Sequence, residues 1–273
     1  MVTIPASPPD SGGGSHQRRE MAESFGDDAV RFDRTRPHYP DAFIDEIARR
    51  MPGRAILDVG IGTGISSRPF GDRGFTVLGV EADPRMAQFA RLQGFDVEVA
   101  RFEEWVAAGR MFDGLIAGQT WHWVDPVSGA ARAADVLRPG GCLVLFWNEA
   151  RPPAELAAQF GKVFASLDTG LPFNPWATAL RRGAYNGIIN VAEAGIRATN
   201  AFRPIERVAF DWETTISRDA WLEQASTSGG INRLPKERLE ALLAGMGVAI
   251  DAVGGEFVLA YTTVGGIAER QTL

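Results

Sequence analysis

The sequence predicts an α/β fold: a doubly wound, mostly parallel sheet with helices on both faces, one antiparallel strand near the C-terminus, and a helical and irregular lid. Three observations lead there. Short apolar runs alternate with amphipathic stretches through the first half of the chain, a glycine-rich turn follows the first of these runs, and the alternation breaks down after Trp147. Strands that are apolar on both faces and separated by helices belong in a parallel sheet covered on each side.

Each element has a local justification. Residues 1–20, MVTIPASPPDSGGGSHQRRE, are rich in Pro, Gly and Ser and offer little to bury, so a disordered tail is expected ahead of a single domain over 21–273. In DAFIDEIARRM, Phe43, Ile44, Ile47, Ala48 and Met51 share one helical face, and Pro52-Gly53 ends the helix. AILDVG, FTVLGVEA and DGLIAG read as strands, and CLVLFW as a fourth after the turn RPGG, with DPRMAQFARLQG and PVSGAARAADVLR as helices between them. Beyond Trp147, AELAAQFGKVFASL reads as a helix, Asp168 to Arg203 as irregular and aromatic-bearing, and IERVAFDWETTI as a strand. Helices around DAWLEQAS and KERLEALLAGMGVAI precede a last strand, EFVLAYTTV. The stretch 151–204 is expected to be an insertion that covers the substrate.

Composition removes several function classes before any motif is read. The chain has 273 residues, 45% hydrophobic and 23% charged, and no apolar run approaches the roughly 20 residues of a membrane span, so no membrane association is expected. A net charge of −6 and a pI near 5.2 argue against a broad electropositive surface, and nucleic acid is not an expected partner. Cys142, the single cysteine, sits inside CLVLFW and is expected to pack as a small hydrophobe. No Cys, His and carboxylate cluster has metal-ligand spacing, so no metal is expected, and without a basic-plus-apolar leader a cytoplasmic location is.

The stretch AILDVGIGTGISS carries the chemistry. Three alternate glycines between a strand and a helix mark a tight turn or a ligand pressed against main chain. A dinucleotide fingerprint needs G-x-G-x-x-G or its Ala variant, but Gly60 and Gly62 are followed by Ile65, and Gly62 and Gly64 by Ser67. A phosphate loop needs Gly-Lys-Ser/Thr, which is absent at this place. What remains is an acid, Asp58, suited to a cationic cofactor, and a second acid, Glu81, about twenty residues on, where a carboxylate accepts hydrogen bonds from both hydroxyls of a ribose.

On these residues the sequence resembles the class I S-adenosylmethionine-dependent methyltransferases, whose first motif, acid-x-G-x-G-x-G, is matched by Asp58, Gly60, Gly62 and Gly64. The resemblance implies a Rossmann-like fold and S-adenosyl-L-methionine as cofactor. It also makes Glu81 and Ala82 the ribose side, ARFEEW the adenine side through Phe102 and Glu103, AGQTWHWVD with Gly118 the fourth-strand motif, and LRPGGCLVLF the fifth. Many relatives carry Asp where this chain has Arg101, and an arginine cannot accept the adenine amino proton. FDRTRPHYP and WHWVDP are similar to the small-molecule branch that includes trans-aconitate methyltransferase-like proteins, which places Phe32 and Arg36 over the cofactor.

The acceptor side is read from position. His122, in the loop after DGLIAG, is the candidate general base. Trp121, Trp123, Phe173 and Trp176 are the candidate walls of a pocket for a small organic acceptor, and Arg36, Arg181 and Arg182 could pair with an acidic one. FNPW at Phe173 lacks the second proline of the signature of amino-directed nucleic acid methyltransferases and lies far past the fourth strand. The expected reaction is methyl transfer to an O, N or C nucleophile. A rearrangement or cyclisation in the same fold, or a non-catalytic cofactor binder, are the alternatives, and neither acceptor nor oligomeric state is legible.

Overall fold

The computed structural model describes residues 26, 28–171, 174–176, 183–228 and 230–272. The expected tail, together with Phe173, Arg181 and Arg182, lies outside the described residues.

Seven strands form one sheet: β1 (Ala55–Val59), β2 (Thr76–Glu81), β3 (Asp96–Val99), β4 (Phe112–Gly118), β5 (Leu137–Arg151), β6 (Glu206–Ser217) and β7 (Glu256–Glu269). Their order is β3-β2-β1-β4-β5-β7-β6. The first five pair in parallel, and β7 runs antiparallel between β5 and β6. The segment RPGG, expected as a turn, lies within β5, where pairing jumps from Phe112↔Leu137 to Gly114↔Cys142 and makes a bulge.

Alternation along the strands builds two cores. Leu57 and Val59, Leu115 and Ala117, and Leu143, Leu145 and Trp147 face one side of the sheet, whereas Ile56, Ile116, Cys142, Val144 and Phe146 face the other. Helix Pro126–Val136 covers the first side and helix Asp41–Arg50 the second, burying Phe43, Ile44 and Ile47 as its periodicity predicts. Asp125 and Asp83 cap their helices by accepting hydrogen bonds from the first-turn amides, ahead of Pro126 and Pro84 at the first helical position. A third apolar cluster gathers Phe160, Trp176, Trp221, Leu242, Met246 and Phe257 where β6 and β7 run on past β5, under helices Ala154–Ala165, Arg218–Ser226 and Lys236–Asp251.

Two expectations need correction. Part of the region expected to be irregular is the helix Asn186–Ala198, which packs against helix Pro126–Val136 so closely that a Cβ on Gly195 would stand 2.0 Å from the Pro126 carbonyl oxygen. The strand β3 was not anticipated, because only Val97 of its four residues is buried.

Candidate functional site

A cavity opens at the carboxyl ends of the parallel strands, where the order reverses between β1 and β4, which is the expected ligand position in a doubly wound sheet. It is lined by the backbone from Val59 to Thr63 after β1, by Glu81 and Ala82 after β2, by Ala100 to Glu103 after β3, and by Gly118 to Thr120 with His122 to Val124 after β4. Phe32, Arg36, Pro37 and Tyr39 close it from the N-terminal side.

The three glycines of the opening motif are required for different reasons. All have positive φ, but a Cβ on Gly60 would lie 2.2 Å from Thr120 Cγ2 and one on Gly64 2.6 Å from the Phe95 ring. At Gly62 the nearest atom is Met86 Cε at 3.6 Å, so its backbone conformation, φ +58°, and its position against the cavity set the requirement. Gly64 does not line the cavity; it serves the turn.

Glu81 accepts hydrogen bonds from the Gly62 and Asp83 amides, both at 2.9 Å, one on each carboxylate oxygen, and burial raises its pKa. Asp58 departs from expectation. Its side chain does not line the cavity; Oδ2 accepts from the Ser66 and Ser67 hydroxyls at 2.7 and 2.6 Å, while the buried Oδ1 is without a partner among the described residues. Burial, reinforced by the Glu81 charge and opposed by the two serines, pushes Asp58 up to about 7. The carboxylate thus braces the turn from behind.

After β4 the chain takes a left-handed step at Gln119, φ +58°, whose amide donates to the Phe146 carbonyl at 2.8 Å. A 3₁₀ turn over Trp121–Trp123 follows. In an extended loop Trp121 and Trp123 would share a face, but about three residues per turn sends them apart. Trp123 lines the cavity, and Trp121 is 2% exposed in the core against Phe102. Trp176, equally buried, packs edge-on to Phe160 and Phe164 in the third cluster. Both are therefore corrected from pocket walls to core residues. Among the described residues, none of 151–204 lines the cavity, whereas Phe32, Arg36, Pro37 and Tyr39 of the N-terminal segment do.

His122 lines the cavity, accepts the Trp147 indole N–H on Nδ1 at 3.2 Å, and is pushed down to about 3 by burial. With Nδ1 taken by the Trp147 N–H and the imidazolium disfavoured by burial, the ring is better suited to donate a hydrogen bond from Nε2 than to take up a proton. Cys142 is buried in the second core, and burial pushes its thiol up to about 11.

The N-terminal helix Ala29–Thr35 brings Phe32 and Arg36 to the cavity. Arg36 lies 4.2 Å over the Phe32 ring and donates to the Thr227 hydroxyl and carbonyl at 2.8 and 2.6 Å. Burial lowers its pKa to about 10, which leaves it charged at neutral pH. Gln119 was missed by sequence reasoning: both polar atoms of its amide are buried without a partner among the described residues, on a residue that lines the cavity. No periodicity or motif marks such a glutamine.

A family model described as a methyltransferase domain matches residues 57–145, which spans the glycine turn, Glu81 and the β4 loop. Over residues 57–145 the chain is thus similar to a methyltransferase domain. An uncharacterised methyltransferase of Mycobacterium tuberculosis is 37% identical over 133 residues, 48% of this chain and 54% of that protein, so the chain spans about half the length of the curated relatives it matches. A ubiquinone biosynthesis O-methyltransferase of Cereibacter sphaeroides is 32% identical over 34% of this chain and 40% of its own. Among solved structures, a protein described as a type II methyltransferase from Anaeromyxobacter dehalogenans superposes with a TM-score of 0.59 at 24% identity, over 86% of this chain and 97% of that one, which bears on the fold alone.

The residues lining the cavity fit S-adenosylmethionine, the cofactor that the sequence resemblance implies. The wall from Gly60 to Gly62 is nearly bare main chain, Thr63 Oγ1 is buried and unpartnered among the described residues, and each Glu81 oxygen keeps an accepting lone pair for a ribose hydroxyl.

Proposed function

We propose that this protein transfers the methyl group of S-adenosylmethionine to an O, N or C nucleophile of a small organic acceptor. The observation that carries the reading is the polarity of one cavity along the sheet: the glycine turn and Glu81 at the β1–β2 end, and Gln119, His122 and Trp123 at the β4 end. When bound, the cofactor supplies an electrophilic methyl on a sulfonium leaving group. Glu81 would hold the ribose, Ala82, Phe102 and Glu103 would flank the adenine, and Gly60, Gly62 and Gly118 would let main chain approach closely.

What the protein contributes is mainly alignment in a dry cavity, an effect that reaches about 7–11 kcal/mol in well-oriented intramolecular reactions. Phe32, under the Arg36 guanidinium that Thr227 holds, would exclude water from above together with it. Oxygen acceptors are the first to test, since one matched relative is named as an O-methyltransferase. The experiment is titration calorimetry with S-adenosylmethionine, followed by mass spectrometry of an acceptor panel. A product heavier by one methyl is expected. An isomeric product would instead indicate a rearrangement, and cofactor binding with no product a binder.

A further inference from the structure

The hydrogen bond between Trp147 and His122 decides which ring nitrogen of the histidine carries a proton. An indole N–H donates and cannot accept, so His122 Nδ1, at 3.2 Å, must present its lone pair. Burial keeps the imidazole neutral, and a neutral imidazole with a bare Nδ1 carries its proton on Nε2. Trp147 is itself fully buried on β5 and stacked on Tyr185, so the donor cannot turn away. Among the described residues Nε2 makes no hydrogen bond, while the side chain lines the cavity.

A second observation at the same end is independent of the first. The Gln119 amide offers two donors and an acceptor, all unpaired among the described residues, and its two N–H donors would be satisfied by a ligand with oxygen acceptors. The other titratable groups on the cavity wall are Arg36, Tyr39, Glu81, Arg101 and Glu103. Of these, Arg36 is cationic, the Tyr39 phenol is held protonated by burial, and Glu81 and Glu103 are engaged by the amides of Gly62, Asp83 and Asp125.

We propose that His122 is a fixed hydrogen-bond donor to the methyl acceptor, and that the acceptor is an oxygen acid already ionised at neutral pH, held by His122 Nε2–H and the Gln119 amide. In the transfer, an oxyanion lone pair forms the bond to the methyl carbon as the carbon–sulfur bond breaks and its electron pair stays on sulfur. The acceptor's proton has gone to solvent before binding, and no protein group takes it up. This rests on the methyltransferase reading given above.

Long-range proton–nitrogen NMR on the full chain tests the assignment without any acceptor, His122 being identified among three histidines by its loss in His122→Gln. From pH 5 to 8 the expected spectrum has a protonated Nε2 and a bare Nδ1. A protonated Nδ1, or an imidazolium in that window, overturns the proposal. Trp147→Phe should release the ring into a mixture of tautomers. With an active acceptor, the rate should follow the acceptor's own ionisation, and His122→Phe should lose about 10- to 100-fold in kcat/KM while His122→Gln, which keeps an N–H, loses less. Equal losses, or a rate that follows a histidine-like ionisation, would overturn it. If calorimetry finds no S-adenosylmethionine binding, the methyltransferase reading fails by itself; a wrong tautomer with binding intact removes only this inference.

Discussion

The Gly62 amide donates to Glu81 Oε2 across 2.9 Å, so the turn after β1 and the acid that ends β2 form one hydrogen-bonded unit facing the cavity. Glu81→Ala therefore removes a ribose partner and loosens the turn together. Calorimetry should show S-adenosylmethionine affinity weakened by roughly 1.5–3 kcal/mol, the range for hydrogen bonds to a charged group. Gly62→Val should abolish binding, since the side chain would enter the cavity from a left-handed backbone; unchanged affinity in either variant would remove Glu81 and Gly62 from the cofactor site.

Asp58 and His122 give stability opposite pH dependences in the ligand-free protein. Asp58 titrates near 7 when folded against 3.8 ordinarily, so between those values the folded state holds the extra proton, and stability is lost as pH rises through the window. His122 titrates near 3 when folded against 6.5, so there the unfolded state holds the extra proton, and stability is gained as pH rises through that window. The two slopes, each at most about 1.4 kcal/mol per pH unit, oppose one another where the windows overlap. Thermal melts from pH 4 to 8 should show Asp58→Asn growing more stable relative to the parent with rising pH, and His122→Gln growing less so. Profiles parallel to the parent would contradict both assignments.

Arg36 depends on a residue far away in sequence. Thr227→Val removes the hydroxyl that accepts from Nη1 and leaves the carbonyl, so cofactor affinity should fall by up to about tenfold with little change in the melt. Deleting residues 1–20 should leave both properties intact, whereas deletion through Tyr39 strips Phe32, Arg36, Pro37 and Tyr39 from the cavity wall and should abolish binding.

The three tryptophans separate by role. Trp121→Ala and Trp176→Ala each empty a core site and should cost about 3–5 kcal/mol in denaturant unfolding. Trp123→Ala should leave stability nearly unchanged and reduce turnover of an active acceptor. A stable Trp121→Ala with selectively impaired turnover would return that residue to the acceptor pocket.

Local signals in the sequence determined a good deal of this protein. The apolar runs of β1, β2, β4 and β5, the face of helix Asp41–Arg50 and the spacing of Asp58, Gly60, Gly62, Gly64 and Glu81 are legible because strand alternation, helical periodicity and left-handed turns are properties of a few neighbouring residues. Strand β3, Asp-Val-Glu-Val at the sheet edge, has one buried residue and so no apolar run to read. Helix Asn186–Ala198 buries Ile189, Ala192, Gly195 and Ile196 at helical spacing, but two of these are small and the surrounding aromatics suggested a cover. Tertiary structure alone decided where Trp121, Trp123 and Trp176 point, that Asp58 braces Ser66 and Ser67 from behind the cavity wall, and that Trp147 holds Nδ1 of His122. These depend on a 3₁₀ turn, on burial and on a partner twenty-five residues away on the next strand. Charge state, tautomer and orientation follow from what surrounds a side chain, and that is set by packing across the sheet, beyond the reach of any local pattern.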